Sequence, residues 1–559
     1  MNIGIDLGTT ASSVALWREG WAELVPNALG ELRTPTAVSI EADGAVHVGA
    51  AALDLMAAAP DRTAAGFKRL IGSGAGVVLG GRRFAAEELA ALVLRGLRDD
   101  VRVHAGVEPT GAVIAVPACF DARQRAATRR AGELAGFSSV RLIGEPAATA
   151  LAYAWPDKGG RAPFLVFDLG GGTFDVAVAE LGDGGIRLRA AAGDGRLGGN
   201  DFDARLAAMM ADRIDLEGHL DELDECRRTA LLSRAATRAR LALSQAASAE
   251  FAVTLDDARL KVTLSEDEFE GATADLVQRL REPVERALRD AGLDRAGLGA
   301  IVVVGGATRM PVVRRAITRL FGQFPDSGCD PESSVARGAA IHAALLARDE
   351  VRIFDVCPHA LGVETAEADG YGNVQPGVFS PIIGRNAPVP TSRVKTYRTT
   401  GDGQPWIEMD IYQGEARDVV GNVRLGTLTV PVPPRPAGEV TVDVRFSFDD
   451  GGLLAIDYTI PSAGVTRQPV ELAPAQDEGA RGDGLAGLTF PAREAAGHVA
   501  LMARAERVHG EFVGNERSFL GTLIGRFLGA LSARDPREIA SAQVALSISL
   551  DALEACPAG

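Results

Sequence analysis

One sequence pattern occurs twice in this 559-residue chain, and it restricts the possible folds more than any other feature. The first copy is residues 3–10 (IGIDLGTT) with an apolar run at 13–16, and the second is residues 164–175 (FLVFDLGGGTFD) with an apolar run at 176–179. Each copy has the order strand, Asp-Leu-Gly, small residues, Thr, strand. The repeat predicts a duplicated α/β fold in which two hairpins face one cleft.

The residue types inside both hairpins suit the binding of phosphate and a metal. Gly8 permits a tight turn, and Thr9 and Thr10 offer hydroxyl and backbone donors to a phosphate. The three glycines at 170–172 would weaken an ordinary strand, and close approach of their N–H groups to an anion explains them. Asp6 is a suitable group to hold hydrated Mg²⁺.

A third motif connects a strand to a helix. Residues 302–304 are an apolar run, Gly305 and Gly306 follow, and a helix is predicted from Pro311, where proline is well tolerated. Arg309 precedes this helix and is placed to stack on a base or to meet a phosphate. Up to about residue 348, apolar runs alternate with helical stretches, so we predict an α/β region.

The pattern changes after residue 357. Alternation at 440–448 and 456–458, around Asp450-Gly451, predicts a half-buried hairpin, and several such strands predict a β-sandwich. Residues 475–490 read as a loop, and the apolar spacing from Leu520 to Leu531 predicts an amphipathic helix. Residues 348–355 (RDEVRIFD) are apolar between charged ends, so we expect this linker to dock.

Composition excludes several classes of function. The formal net charge of −16 argues against a nucleic-acid or anionic-membrane binder. The five cysteines form no CxxC pair, so neither a disulfide framework nor a zinc ribbon is predicted. With no apolar run of membrane-spanning length and no secretory signal, we expect a cytoplasmic protein.

Lysine is rare in this chain. Only four of the 58 basic residues are lysines, at positions 68, 158, 261 and 395. Codon preference for arginine explains most of this bias. Where a lysine remains, it is a candidate for chemistry that arginine cannot perform, because an ammonium is a compact point charge and a guanidinium is a planar fork.

The three motifs, in this order, resemble the DnaK-type seventy-kilodalton heat-shock chaperones. The similarity extends over about residues 1–465, and 379–383 with 389–394 look most like the HscC branch of that family. Further matching stretches are 67–72 (FKRLIG), 116–118 (VPA), 143–153 (IGEPAATALAY), 197–203 (LGGNDFD) and 338–340 (GAA).

The resemblance implies an architecture and an activity. The implied parts are an actin-like nucleotide-binding domain of two lobes (1–348), a linker (349–356), a β-sandwich peptide-binding domain (357–467) and a short helical lid (468–559). The implied activity is that of an ATP-dependent molecular chaperone. Such a protein hydrolyses ATP to ADP and phosphate with Mg²⁺, and thereby controls its affinity for exposed apolar segments of unfolded proteins.

The resemblance also implies roles for individual residues. The implied catalytic residues are Lys68, Glu145, Asp168 and Thr173. The residues implied to hold hydrated Mg²⁺ are Asp6 and Asp168, and Asp175 is another acid at that site. The positions implied to contact ATP or ADP are Gly8, Thr9, Thr10, Gly170, Gly171, Gly172, Arg240, Ser244, Gly305, Gly306, Arg309 and Glu332. Those implied to couple the domains are Pro117, Arg125, Arg141 and Asp355. Those implied to contact peptide are Ile407, Tyr397, Met409, Ala366 and Thr400.

Partners and departures follow from the same comparison. Arg141 matches the position that receives a J-domain co-chaperone, and a nucleotide-exchange factor is a further candidate partner. Arg352 interrupts a linker run that is usually apolar, which puts the usual docking in question. Ala366 and Thr400 replace the two residues that arch over a bound peptide, so we expect an altered or narrower peptide preference. The tail is too short for the long lid of the family.

Two other classes of function remain open from the sequence. One is another actin-like protein, such as a sugar kinase or a filament protein, which shares the twin hairpins but does not explain the linker and sandwich. The other is a nucleotide-gated scaffold that does not hydrolyse ATP. The presence of Lys68, Glu145, Asp168 and Thr173 argues against that second class.

Overall fold

The computed structural model describes most of the chain. The described residues are 1–56, 58–155, 161–182, 185–214, 220, 223–255, 258–326, 328–348, 352–368, 374–470, 483–491 and 493–555. Lys158 and the first part of the predicted loop, 475–482, lie outside these ranges. No helix within them is long and apolar enough to cross a membrane.

The first lobe is built on a six-stranded sheet with two smaller sheets beside it. Its strands are β1 Asn2–Asp6, β2 Ala11–Arg18, β3 Trp21–Leu24, β4 Thr34–Pro35, β5 Ala37–Ile40, β6 Val46–Val48, β7 Thr63–Ala65, β8 Gly76–Leu79, β9 Arg82–Ala85, β10 Gly111–Val116 and β11 Ser139–Gly144. Its helices are α1 Ala50–Leu55, α2 Ala86–Ala105, α3 Ala122–Leu134 and α4 Glu145–Ala154. The main sheet has the order β11-β10-β1-β2-β3, and β4 pairs with β2.

The second lobe has a sheet of similar plan. Its strands are β12 Arg161–Leu169, β13 Phe174–Gly182, β14 Gly185–Asp194, β15 Ser248–Leu255, β16 Ala258–Ser265 and β17 Ala300–Val304. Its helices are α5 Gly199–Ile214, α6 Glu225–Leu243, α7 Glu266–Ala272, α8 Ala274–Arg279, α9 Arg281–Ala291 and α10 Pro311–Phe321. The next helix, α11 Ser334–Leu346, packs back on β1 and β2 of the first lobe. The main sheet of this lobe begins with the order β17-β12-β13-β14.

The pairing of the two sheets shows the repeat that the sequence predicts. In the first lobe β1 runs parallel to β10 and antiparallel to β2, and Asp6 faces Ser13 in the antiparallel pair. In the second lobe β12 runs parallel to β17 and antiparallel to β13, and Asp168 faces Asp175. Each aspartate therefore occupies the same place in its hairpin, at or next to the end of the first strand.

Small residues allow two helices to pack closely between the lobes. A Cβ on Gly338 of α11 would overlap the carbonyl of Ala148 on α4, and a Cβ on Gly4 would overlap the backbone of α11 at Ala340. These contacts leave no room for larger side chains. The buried core around α4 and α11 draws residues from both sheets, which joins the lobes into one body.

The described part of the linker docks, as the sequence predicts, and residues 349–351 lie outside the described ranges. Residues Arg352–Phe354 form β18, which pairs in parallel with β14 at Gly185–Arg187 and extends the sheet of the second lobe. The backbone at Arg352 takes part in this pairing, so an arginine here does not prevent docking of the main chain.

Two four-stranded antiparallel sheets follow the linker and enclose a common apolar core. The strands of this region are β19 Val356–Cys357, β20 Leu361–Ala368, β21 Val374–Ile383, β22 Ala387–Pro388, β23 Thr391–Arg398, β24 Trp406–Gln413, β25 Val423–Pro431, β26 Thr441–Phe448, β27 Leu454–Ile460 and β28 Val465–Val470. The sheet orders are β21-β20-β24-β25 and β23-β26-β27-β28. The hairpin predicted from the alternation of apolar residues is β26–β27. The last strand, β28, ends three residues beyond the expected boundary at 467.

The tail contains three helices that share a buried apolar core. They are α12 Arg493–Glu511, α13 Gly514–Ala533 and α14 Pro536–Ala555. The predicted amphipathic helix is α13, on which Leu520 and Phe527 are buried. The segment 483–490, expected to be a loop, contains a short 3₁₀ turn at Asp483–Leu485 and packs Leu485, Leu488 and Phe490 against the core of the first lobe.

Candidate functional site

The two hairpins meet across a cleft between the lobes. A Cβ on Gly171 would overlap Oγ1 of Thr10, and a Cβ on Gly172 would crowd the side chain of Thr9. Glycine is therefore required in the second hairpin for the first hairpin to approach. The predicted site residues that line this cleft are Asp6, Gly8, Thr9, Thr10, Lys68, Glu145, Asp168, Gly170, Gly171, Thr173, Gly305, Gly306 and Glu332.

A buried ion pair lies at the base of the cleft. Lys68 is only 3% exposed, and its Nζ donates to Oε1 of Glu145 at 2.8 Å. Glu145 is the first residue of α4, where the helix dipole favours a negative charge. Burial alone would lower the pKa of Lys68, but the carboxylates of Glu145 and Asp6 outweigh it and raise that pKa. Lys68 is thus held as an ammonium.

Three further carboxylates share the same buried space. Burial, followed by repulsion from Glu145, raises the pKa of Asp6 to about 7 and that of Asp175 to about 7. The same causes raise the pKa of Asp168 well above its usual range. One oxygen of Asp175 accepts the N–H of Cys119 at 2.9 Å, and its Oδ2 is buried without a partner among the described residues.

This excess of buried carboxylates fits a cation. Carboxylates that repel one another and lose their hydration are relieved when a positive charge enters. Within the described part of the chain, no group of three or more His, Cys, Asp or Glu side chains is arranged to ligate a metal directly. Mg²⁺ is a cation that carboxylates bind, and it usually keeps several of its waters when they do.

Two arginines that our sequence reasoning missed as site residues tie the lobes together. Arg69 donates to the carbonyl of Gly172 through Nη2 at 2.7 Å and forms a charged pair with Asp201 at 2.5 Å. Arg33, which also lines the cleft, lies 2.7 Å from Glu332 on the opposite side. Arg69 directly follows Lys68, and this position next to a predicted catalytic residue could have identified it as a candidate site residue.

The residues predicted around adenosine occupy one side of the second lobe. Arg240, near the end of α6, pairs with Asp203 at 2.5 Å, and Ser244 donates to the carbonyl of Arg240 at 3.2 Å. Arg309 lies in a 3₁₀ turn before α10 and pairs with Glu332 at 3.3 Å. Gly172, Arg240, Ser244 and Arg309 are not among the residues that line the cleft itself.

The predicted coupling residues lie where the first lobe meets the sandwich. Arg125 is buried, and its guanidinium lies so close to Gly452 that a Cβ there would be 2.5 Å from Nη1. Burial raises the pKa of Asp355, and the charge of Arg125 opposes this shift. Arg141 donates to Asp450 of the sandwich at 3.0 Å.

The loop that begins at Pro117 connects this junction to the cleft. The carbonyl of Pro117 accepts the N–H of Phe120 at 3.2 Å, and the carbonyl of Phe120 accepts Nε of Arg125 at 3.3 Å. The intervening Cys119 holds Asp175 through its N–H. A continuous set of contacts thus runs from an acid of the second hairpin to the arginine at the sandwich.

Of the five predicted peptide residues, Ile407, Met409 and Tyr397 meet at one apolar core, and the other two are not part of it. Ile407 and Met409 are buried in the core between the sandwich sheets. The hydroxyl of Tyr397 shares a hydrogen bond with that of Ser380 at 3.1 Å. Ala366 and Thr400 are exposed, and within the described residues no hydrogen bond joins them.

Comparison with known proteins assigns the family. A family model described as "Hsp70 protein" matches residues 2–76 and 73–478. The chain is 37% identical over 468 residues to "Chaperone protein DnaK" of Thermosipho africanus, an alignment that covers 81% of this chain and 77% of the relative. It is also 37% identical to proteins of the same name from Thermotoga neapolitana, over 469 residues, and Deinococcus proteolyticus, over 489 residues. These alignments cover 81% of this chain and 77% and 76% of the relatives, respectively. They give no support to a sugar kinase. The chain belongs to the Hsp70 family.

Proposed function

We propose that this chain is an ATP-dependent chaperone in which the cleft hydrolyses ATP and the docked linker passes the nucleotide state to a peptide-binding sandwich. The observation that carries this proposal is the continuous path from Asp175 through Cys119 and Phe120 to Arg125 at the sandwich. A cleft that only bound nucleotide would need no such path. The same junction holds the linker residue Asp355.

The roles in hydrolysis follow from the charges of the cleft. Phosphoryl transfer depends on positioned charge more than on covalent chemistry. Lys68 would orient the attacking water and the γ-phosphate, because it is an ammonium held by Glu145 at 2.8 Å. Thr173 would donate its hydroxyl to the same phosphate from the second hairpin. The N–H groups of Gly171 and Gly172 would hold the phosphate oxygens, since no side chain separates them from the first hairpin. The N–H of Gly170 is used within the second hairpin, where it donates to the carbonyl of Thr173 at 3.0 Å.

Mg²⁺ belongs to this proposal as the cation that the carboxylates fit. Asp6 and Asp168 would hold it through its water ligands, each from the same place in its own hairpin. When bound, the ion neutralises charge that develops on the phosphate oxygens. The N–H of Cys119 holds Asp175 in place. A shift of this aspartate when the phosphate changes would therefore move the loop that begins at Pro117.

We place peptide binding on the sandwich, near Ile407, Met409 and Tyr397, with Ala366 and Thr400 at its exposed edge. The first two are already buried in the core, so a bound apolar side chain would extend an existing apolar surface. Because one of these edge residues is small and the other is polar, they would hold a bound peptide only weakly.

Four finer predictions go with this function. Arg141 would bind a J-domain co-chaperone, and in this structure it pairs with Asp450 of the sandwich, so the two contacts compete. A nucleotide-exchange factor is a further expected partner. We also keep the cytoplasmic location and the similarity to the HscC branch as predictions.

The test is whether ATP controls peptide affinity through Arg125. The dissociation of a fluorescently labelled apolar peptide from the full chain is measured with and without ATP and Mg²⁺. We expect ATP to accelerate release at least tenfold in the wild type, and Arg125→Ala to lose this acceleration while it still binds ATP. The matched control is Arg102→Ala on α2 of the same lobe, whose partners Asp99 and Glu108 both lie in that lobe.

Three results would count against the proposal. No ATP-driven change in the peptide dissociation rate of the wild type would reject the chaperone cycle. Equal loss in the Arg125 and Arg102 variants would reject the coupling path, because Arg102, among the described residues, pairs only within the first lobe. Phosphate transfer to a sugar would favour a kinase instead.

A further inference from the structure

The helical tail reaches both lobes of the nucleotide cleft. Helix α12 packs along α1 of the first lobe and also contacts β15 of the second lobe. At its end, the carbonyl of Glu511 accepts the hydroxyl of Thr254 on β15 at 2.8 Å. One helix therefore spans the gap between the lobes.

The crossing point is a largely buried cluster of charges. Arg507 of α12 is only 10% exposed and donates to Asp54 on α1 at 2.6 Å. One turn later, Glu511 lies 3.1 Å from Arg234 on α6 and also pairs with Arg238 of the same helix. Arg507 and Glu511 are themselves 3.2 Å apart. The network thus runs from Asp54 of one lobe, through two residues of the tail, to two arginines of the other lobe.

The charges depend on one another in this cluster. Burial lowers the pKa of Arg234 to about 10, although Glu511 opposes the shift. Burial acts to raise the pKa of Glu511, but Arg234, Arg238 and Arg507 overcome it and lower that pKa. Removing one member would leave a buried charge without its partner, which is unfavourable.

The cluster lies where the lobes would separate. Helix α6 carries Arg234 and Arg238 on the tail side, and Arg240, predicted to be near adenosine, lies further along the same helix. The lobes also meet directly here, because the turn Pro60–Arg62 contacts α6, and Arg234 lies 3.9 Å from Asp54. Movement of α6 away from α1 would therefore break the contacts of the tail.

The tail is held more extensively on the first lobe. The carbonyls of Gly484 and Ala486 accept Arg82, and the N–H of Thr489 donates to Gly44 at 3.0 Å. Phe490 packs against the core of the first lobe and lies under the guanidinium of Arg95. This anchor precedes α12, so the contacts with the second lobe can break while the tail stays attached to the first.

From these contacts we infer that the C-terminal helical segment is a clasp across the mouth of the nucleotide cleft, which slows nucleotide release until its end detaches from α6 and β15. The rim of the second lobe, formed by Arg234, Arg238 and Thr254, is the docking surface for this chain's own tail. An outside protein that opens the cleft at this rim would first have to displace Glu511.

The experiment measures nucleotide release from the full chain. A fluorescently labelled, non-hydrolysable ATP analogue is loaded with Mg²⁺ and chased with excess unlabelled ATP in a stopped-flow instrument. We expect Glu511→Gln and Arg234→Gln each to release the analogue at least about fivefold faster than the wild type. The double variant should release it no faster than the faster single variant, because both changes break one network.

Two further variants separate the clasp from a general loss of stability. Thr254→Ala removes the hydrogen bond to the carbonyl of Glu511 without changing any charge, and it should also accelerate release. Glu506→Gln, at an exposed position of the same helix, is the matched control and should leave the rate within twofold of the wild type. Release rates within twofold of the wild type in all the clasp variants would overturn the inference. It would also be overturned if the acceleration in the double variant equalled the product of the accelerations in Glu511→Gln and Arg234→Gln.

The inference uses only the nucleotide-binding part of the proposed function, and the two fail separately. Unchanged release in the clasp variants, with peptide affinity still controlled by ATP, would reject the clasp and leave the chaperone cycle standing. Faster release in the clasp variants, with peptide affinity indifferent to ATP, would support the clasp and reject the coupling.

Discussion

The nucleotide cleft and the peptide region of the sandwich are built from opposite kinds of contact. In the cleft, an ammonium and a carboxylate lie 2.8 Å apart in a buried space, and Gly171 faces Thr10 with no room for a Cβ. In the sandwich, Ile407 packs among other apolar side chains, and the edge residue Ala366 is exposed. Charged sites need specific groups at specific distances, whereas apolar surfaces tolerate exchange of residues. Substitutions should therefore have larger effects in the cleft.

The largest effect is expected for Lys68→Arg. The charge is kept, but the planar guanidinium cannot take the place of a compact ammonium beside Glu145. We expect the single-turnover rate of ATP hydrolysis to fall about 10²- to 10³-fold, the range seen when one positioned donor is lost. Affinity of the nucleotide-free chain for peptide should stay the same. Lys261→Arg, at an exposed position of β16, is the matched control and should hydrolyse ATP normally. Equal rates in the Lys68 variant and the wild type would remove Lys68 from the mechanism.

Gly171→Ala tests the closeness of the two hairpins. The added Cβ would overlap Oγ1 of Thr10, so the hairpins must move apart. Overpacking of this kind is unfavourable by about 1–3 kcal/mol, and we expect that amount as a loss of ATP affinity in a binding titration. Gly182→Ala, at the far end of the same hairpin, has open space around its Cβ and should bind ATP as the wild type does. Unchanged affinity in the Gly171 variant would mean that the hairpins separate freely.

The same contrast explains what the sequence predicted and what it did not. Motif residues of the cleft were identified because a hairpin carries its Asp, Gly and Thr residues at fixed spacing. Arg69 and Arg33 were missed as bridges, because their partners Asp201 and Glu332 are far away in sequence. Spacing along a chain contains no information about which arginine crosses a cleft.

The tail shows the same limit more strongly. Periodicity predicted a helix over the residues that form α13, and a loop for residues that pack against the first lobe. Nothing in the spacing indicated that Arg507 would meet Asp54, because the pair joins residues more than 450 positions apart. Amphipathic patterns identify the buried face of a helix, but they leave open which surface covers it.

In the peptide region we expect a moderate gain instead of a loss. Ala366→Leu combined with Thr400→Leu adds apolar surface at the exposed edge, and we expect peptide affinity to increase by about 1 kcal/mol, roughly fivefold. Ala463→Leu, an exposed alanine in the turn after β27, is the matched control. The measurement is fluorescence anisotropy of a labelled apolar peptide, followed by a peptide array. An unchanged peptide affinity in the double variant would contradict the weak hold of the edge residues on peptide. A leucine-rich binding profile of the wild type on the peptide array would contradict it too.

The smallest effect concerns His359, between the cleft and the sandwich. Burial, and then the charge of Arg286, lowers its pKa to about 4. The unfolded chain binds the proton near pH 6.5, so the native state binds fewer protons between pH 6.5 and 4. The stability contributed by the neutral ring is therefore complete above pH 6.5 and falls as the pH drops toward 4.

His359→Gln removes this titration without adding a charge, and its thermal midpoint should depend less on pH between 6.5 and 5 than that of the wild type. The carboxylates of the cleft titrate equally in both proteins, so the difference between the two curves isolates the histidine. A second neutral substitution at the same position, His359→Asn, should give the same weaker dependence on pH. Parallel curves for the wild type and His359→Gln would show that the junction between lobe and sandwich admits a charged ring. The strict requirement for particular charges would then apply to the cleft and not to the junction with the sandwich.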